Sequence, residues 1–198
     1  MTGRSLAAVS AFLLLGCVSP TATDLEKPRP VPAPIGERAL IKGVTIADPD
    51  VDDRETQENS LTLNLVEFMR AGSYFGEVEI FPSRMTEGSL LLHFSFDRFK
   101  QQRRVHPAYF PVSLLTATLY IWFGGPIVID TAELSGRLSV EDVHGVLLST
   151  AKARIERHES KSFYSRNDFG ITRKARTELV EQLLDDVGGQ LKMEGPRR

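Results

Sequence analysis

A single cysteine, Cys17, sets the first limit on what this chain can fold into. No internal disulfide can form, so the folded part has to be held by the packing of its own apolar side chains. These are present in number: 41% of the 198 residues are hydrophobic, and the length suits one domain with appendages. The net charge is -2, with charged residues at 25%. That balance carries no electrostatic footprint for nucleic acid or for a strongly acidic or basic partner.

The position of the cysteine matters more than its number. Arg4 gives a positive start, residues 6–15 form an apolar run too short to span a bilayer, and Leu14-Leu15-Gly16-Cys17 closes it. This resembles the lipobox of bacterial lipoproteins, in which small residues precede the cysteine. The resemblance implies that residues 1–16 are a signal peptide and that Cys17 is the lipid attachment point, bearing palmitate-type chains and becoming the new amino terminus. Each buried methylene contributes about 0.8 kcal/mol, so two or more acyl chains hold a protein where one does not. Val18 and Ser19 follow, with no aspartate after the cysteine. In two-membrane bacteria this implies the outer membrane, facing the periplasm, with the inner membrane as the alternative.

Pro20, Pro28, Pro30, Pro32 and Pro34 crowd the next stretch. Proline locks the backbone and removes an amide donor, which predicts neither helix nor strand. Residues 17–38 therefore read as the lipidated cysteine plus a semi-rigid tether, with a proline-motif ligand as the other reading.

A single domain is expected over 39–192. Residues 39–46 are β-branched and aliphatic and predict a strand. The loop after it holds Asp48, Asp50, Asp52 and Asp53, but without the glycine turn and closing glutamate of a calcium loop it reads as a turn. Leu61, Leu65, Phe68 and Met69 fall on one face of a helix over 56–71, which Gly72 ends. Residues 76–81 alternate as a strand, and so, more clearly, do 89–99, with Leu90, Leu92, Phe94 and Phe96 on one face. His93, on the other, has no second His or Cys at metal spacing and reads as an ordinary polar side chain. A hairpin is predicted over 133–157, turning at Asp142-Val143-His144-Gly145, with 156–165 polar and frayed. Ala175, Leu179, Leu183, Val187 and Leu191 then mark a helix from about Thr172. Residues 193–198 read as a disordered tail.

The most unusual segment lies between these parts. From Pro107 to Ile129 there is no charged residue. Gly124-Gly125-Pro126 and Pro111 break the run, which counts against a full membrane span. The stretch is either a helical or hairpin insertion that meets a membrane or partner, or a buried element covering the sheet. In the first case Leu114, Leu115, Leu119, Tyr120, Trp122 and Phe123 are the contact residues, and the neighbouring aromatics Tyr109 and Phe110 suit an interface as well.

The order strand, helix, strand, strand, insertion, strand, strand, helix predicts an α+β fold. Its sheet is mixed and mainly antiparallel, with amphipathic helices packed on one face. The strand at 39–46, the helix ending at Gly72, the strand at 76–81 and the stripe over 175–191 are similar to the small domain of the TolB amino-terminal, LpoB and CsgG-related group. That resemblance implies a protein that binds or assembles and is not an enzyme; the insertion at 107–129 departs from it.

Three functions follow. The first is a membrane-anchored envelope lipoprotein with a non-enzymatic binding role toward another envelope protein. The second is a component of an envelope pore or translocation assembly that uses 107–129. The third is an envelope hydrolase drawing on His106, His144 or His158, although no Gly-x-Ser-x-Gly, His-Glu-x-x-His or phosphate loop is present. No catalytic, metal-binding or cofactor-binding set is expected, and the oligomeric state is open.

Overall fold

The computed structural model describes residues 23–116, 119–162, 164–165 and 170–194. The expected signal peptide over 1–16, Cys17 and the first part of the expected tether lie outside the described residues, as do 195–198. The element order expected from sequence is found: β1 (Gly36–Ile46), α1 (Arg54–Ala71), β2 (Phe75–Ile80), β3 (Ser89–Val105), α2 (Tyr109–Leu115), α3 (Leu119–Trp122), β4 (Pro126–Glu141), β5 (Leu147–Ser162) and α4 (Gly170–Glu194). The last helix thus runs into the expected tail, as far as Glu194.

The five strands make one sheet in the order β2-β1-β3-β4-β5. Its two halves have different logic. β1 pairs in parallel with both β2 and β3, and the β1–β2 pairing needs the long crossover that α1 supplies. β3, β4 and β5 form an antiparallel meander. Its second turn is the one expected: Asp142 Oδ1 accepts from the amides of His144 and Val146, and Gly145 takes φ 78°, a conformation that a Cβ would strain.

Alternation places the core on one face. Ala39, Ile41, Val44 and Ile46 of β1, Leu92, Phe94 and Phe96 of β3, Leu134, Leu138 and Val140 of β4, and Ala151 and Ala153 of β5 are buried there. Against them pack Leu61, Leu65, Phe68 and Met69 of α1 and Leu179, Leu183, Leu184 and Val187 of α4. A register shift between Phe96 and Arg98 lets Phe99 join this core. The opposite face is mostly polar, with Lys42 reaching Glu141 at 2.7 Å and Arg154 reaching Glu133 at 2.9 Å.

The acidic loop before α1 is a turn, as expected, but a buried one. Asp48 is 1% exposed. Its carboxylate accepts from the amide of Asp50 at 3.0 Å and from that of Phe99 at 2.8 Å, latching the loop to β3. Burial pushes its pKa up, but the two amides together with Arg98 and Lys100 outweigh this and hold it below the ordinary value.

Two expectations are corrected. From Thr23 onward the proline-rich stretch does not stand clear of the domain: Leu25, Val31 and Ile35 pack against the core. Prolines leave few amides on this stretch, and those of Glu26, Arg29, Val31 and Ile35 find acceptors on Thr177 Oγ1, Glu181 Oε1, Gly72 O and Tyr74 O. Secondly, the three long strands outrun their hydrophobic alternation. Residues 126–129 belong to β4 rather than to an insertion, and 156–162 are strand rather than frayed chain. Ladder hydrogen bonds do not require apolar side chains, so the sequence pattern stopped before the strands did.

Phe94 lies fully buried in the central strand. Phe94→Ala is expected to lower the unfolding free energy by about 3–5 kcal/mol in urea titration, with the slope unchanged. A loss well under 1 kcal/mol would contradict this core.

Candidate functional site

The candidate site is built on the part of the sheet that β1 does not reach. The β1 ladder ends with Ile46 opposite Phe96, whereas β3 continues to Val105. At roughly 3.3 Å per residue, the meander projects about 30 Å past β1 as a three-stranded arm. The first turns of α4 back its root: Ile171 and Thr172 are buried, and the Arg176 guanidinium lies 5.4 Å from the centre of the Phe99 ring. Burial pushes the pKa of Arg176 down to about 10.

One carboxylate ties the three strands of the arm together. Arg103 of β3 donates to both oxygens of Asp130 of β4, at 2.6 and 2.8 Å, and the ammonium of Lys161 of β5 lies 3.3 Å away. Asp130 is 1% exposed. Burial alone pushes its pKa up; Arg103 and Lys161 overcome that and hold it below its usual 3.8.

At the tip, the amide of His106 donates to Ile127 O and closes the ladder. The described residues beyond it, 107–116 and 119–125, form a small helical cap built on α2 and α3. Pro111 sits in the first turn of α2, where its missing amide has no helical partner to lose. Thr116 joins the two helices: its hydroxyl donates to Val112 O at 2.7 Å and accepts from the amide of Tyr120 at 3.2 Å. Gly125 is enforced by Tyr120, since a Cβ there would lie 2.4 Å from the phenol ring. The Tyr120 hydroxyl donates to Pro126 O.

Five of the six contact residues expected from sequence point outward. Leu114 is 81% exposed, Leu115 85%, Leu119 55%, Trp122 75% and Phe123 86%. Tyr120 differs: it is half-buried and turned inward onto Gly125. Phe110, 63% exposed, stands with the five and was legible only as a neighbouring aromatic. The reading of this segment as buried cover for the sheet is therefore set aside. No described helix is long and apolar enough to cross a membrane.

The histidines do not converge. His106 lies at the base of the cap and His144 in the β4–β5 turn, at the other end of those strands. His158 touches Thr131 Oγ1 at 3.1 Å and Glu156 Oε1 at 3.2 Å, in an exposed row on the polar face. The hollow beside it, of about 320 Å³, is lined by Arg157, His158, Glu159, Ile171, Lys174 and Glu178. None of these side chains other than His158 belongs to that row. A second hollow of about 340 Å³ lies beside the docked amino-terminal stretch, among Asp24, Glu26, Asn64, Glu67 and Arg173. Neither holds a nucleophile beside a base, and no group of three or more metal-ligating side chains occurs among the described residues. Cys17 lies outside the described residues.

No family model matches the chain, and no curated protein matches its sequence. Solved structures do. The chain is similar in fold to protein XCC0632 from Xanthomonas campestris, described under the DUF330 family. The TM-score is 0.50 and the identity 11%, over 86% of this chain and 97% of that one. Lower similarity is found to the PelC dodecamer from Paraburkholderia phytofirmans (TM-score 0.40, 11% identity, 80% and 94% covered). Lipoprotein GNA1162 from Neisseria meningitidis is similar at TM-score 0.38 and 12% identity, with 75% and 99% covered. At such identities the likeness is one of fold. The likeness to the TolB, LpoB and CsgG-related domains is not carried by these matches.

Two outcomes check this site. Leu114→Asp combined with Leu115→Asp is expected to change the unfolding free energy by no more than about 1 kcal/mol, because exposed positions outside special features usually cost within 0.5 each. A loss of several kcal/mol would mean that the cap is core. Asp130→Asn removes the negative charge that Arg103 and Lys161 share and is expected to cost about 3 kcal/mol at neutral pH, the low end for a broken buried pair because Arg103 is partly exposed. The folded pKa of Asp130 is the lower one, so the carboxylate stabilises above its unfolded value and this contribution is lost as the pH falls through the folded value. As the pH falls from 3.8 through that lower folded value, therefore, the unfolding curves of the variant and the parent should converge.

Proposed function

We propose that this chain is a lipid-anchored envelope protein with a non-enzymatic binding or assembly role. In this reading Cys17 carries the acyl chains at the outer membrane, the domain faces the periplasm, and the apolar cap is the surface offered for contact. One observation carries the contact role. Phe110, Leu114, Leu115, Leu119, Trp122 and Phe123 are exposed together at the end of an arm that the rest of the domain does not cover. Burying a side chain of this size is worth about 1.5–3 kcal/mol, so leaving several in water is costly unless something covers them. Support for the anchor comes from the order of charge, apolar run and cysteine at the chain start.

An enzymatic role draws no support from the scattered histidines. A pore lined by α2 and α3 as spanning helices draws no support from their 7 and 4 residues, against the roughly 20 a spanning helix needs.

Mass spectrometry of the mature protein from membranes is the test. The expected product starts at Cys17, lacks residues 1–16 and carries acyl chains on the sulfur, and Cys17→Ala is expected to accumulate as the uncleaved precursor. An unmodified sulfur or an intact leader in the parent would overturn the anchored reading. Closed rings on detergent extraction would favour the translocation assembly.

A further inference from the structure

We infer that the occupant of the apolar cap is the lipid leaflet that holds Cys17, so that the domain meets the membrane at two points, its acyl chains and its cap. This rests on the anchored reading above. The first support is where the described chain begins. The amino-terminal stretch runs alongside α4 in the same direction: Glu26 meets Arg173 and Thr177, Arg29 meets Glu181, and Ile35 lies against Gly188. Followed backwards, the chain passes the first turns of α4, which back the arm beside Phe99, and Thr23 is held from the other side by Asn64 of α1, whose side-chain amide donates to its hydroxyl.

Reach then becomes a matter of residue counts. Cys17 precedes Thr23 by six residues, a stretch that spans at most about 20 Å. From Phe99 to Val105, at the base of the cap, β3 also advances six residues, again about 20 Å. The chain between Thr23 and Cys17 is thus as long as β3 is between Phe99 and the cap.

Chemistry supports the same occupant. From Gln101 to Ile129 the chain has no carboxylate, and Arg104 stands just below the cap. Arg103 is engaged with Asp130, and Arg104 is exposed. A cation at that level complements a headgroup phosphate. Thr116 and Tyr120 turn their hydroxyls inward, to Val112 O and Pro126 O. A protein interface of ordinary kind pairs about one hydrogen bond per 100–200 Å², whereas acyl chains ask for none. Two helices too short to cross, carrying leucines and aromatic rings, suit the boundary between headgroups and acyl chains.

Trp122 is the only tryptophan in the chain and reports on the cap directly. The experiment places the mature lipidated protein in vesicles of phosphatidylethanolamine and phosphatidylglycerol, with acyl chains brominated close to the headgroup or left plain. Severalfold quenching of Trp122 by the brominated lipid, with protection from aqueous iodide, is expected. The Leu114→Asp, Leu115→Asp variant should stay on the vesicles through its acyl chains while losing both effects. Iodide quenching of the parent on its vesicle would overturn the inference, because the cap would then face water. Protection from both quenchers would overturn it too, and would assign the cap to a protein, a second copy included. Mass spectrometry of Cys17 in the same sample keeps the readings apart: an unmodified sulfur sinks the anchor itself, whereas an acylated protein with an unquenched Trp122 sinks only the cap.

Discussion

The ladder between β3 and β4 bears both ends of this molecule. It runs from Leu91 opposite Glu141 to Val105 opposite Val128. At one end its inward side chains, Leu92, Phe94, Leu138 and Val140, belong to the core that α1 covers over β1 and β2 and α4 covers over β4 and β5. At the other it continues with polar side chains and delivers a helical cap well clear of the core. With one cysteine in the chain there is no covalent alternative, so burial of the apolar core has to hold the fold. The arm needs a further device, because its own burial is thin. The Arg103–Asp130–Lys161 cluster supplies it by joining three strands through one carboxylate.

The docked amino-terminal stretch changes how an anchor at Cys17 would act. A free proline-rich tether would let the domain tumble at a distance from the bilayer. Here the tether is largely absorbed: Val31 and Ile35 hydrogen-bond to the end of α1 and to the residues just after it, and Leu25 packs against the core. Few residues are left between the cysteine and a fixed point on the domain. An anchor of that length orients as well as retains, because a short leash on a rigid body restricts which surface can face the membrane.

The apolar cap and the polar sheet face divide the remaining surface between them. The sheet face carries interleaved ion pairs such as Lys42–Glu141 and Arg154–Glu133, which are exposed and contribute little to stability. They keep a wide β surface soluble. The cap has no such dressing, and its leucines and aromatics stand in water unless covered. This contrast directs attention to the cap rather than to the row of Thr131, His158 and Glu156, which resembles catalytic components but lies on an open strand face, with His158 alone of the three lining the hollow beside it.

Much of this was legible in the residues themselves, and the physical reason is periodicity. Leu90, Leu92, Phe94 and Phe96 at spacing two could only be a half-buried strand, and the stripe from Ala175 to Leu191 could only be a packed helix. Element order and the turn at Gly145 followed, as did the choice of 107–129 as the segment to watch. Sequence did not show how far the strands run, because β3, β4 and β5 extend through Arg103, Asp130 and Lys161, whose pairing is made across strands and leaves no local pattern. Nor did it show that the prolines lie docked, since their neighbours' amides find acceptors on α1, α4 and the turn after α1, far away in the chain. The composition of 107–129 marked it as an apolar segment, either buried against the sheet or turned outward. Only the tertiary structure decided that the domain itself does not cover it, because the ladder carries that segment out beyond the reach of the core.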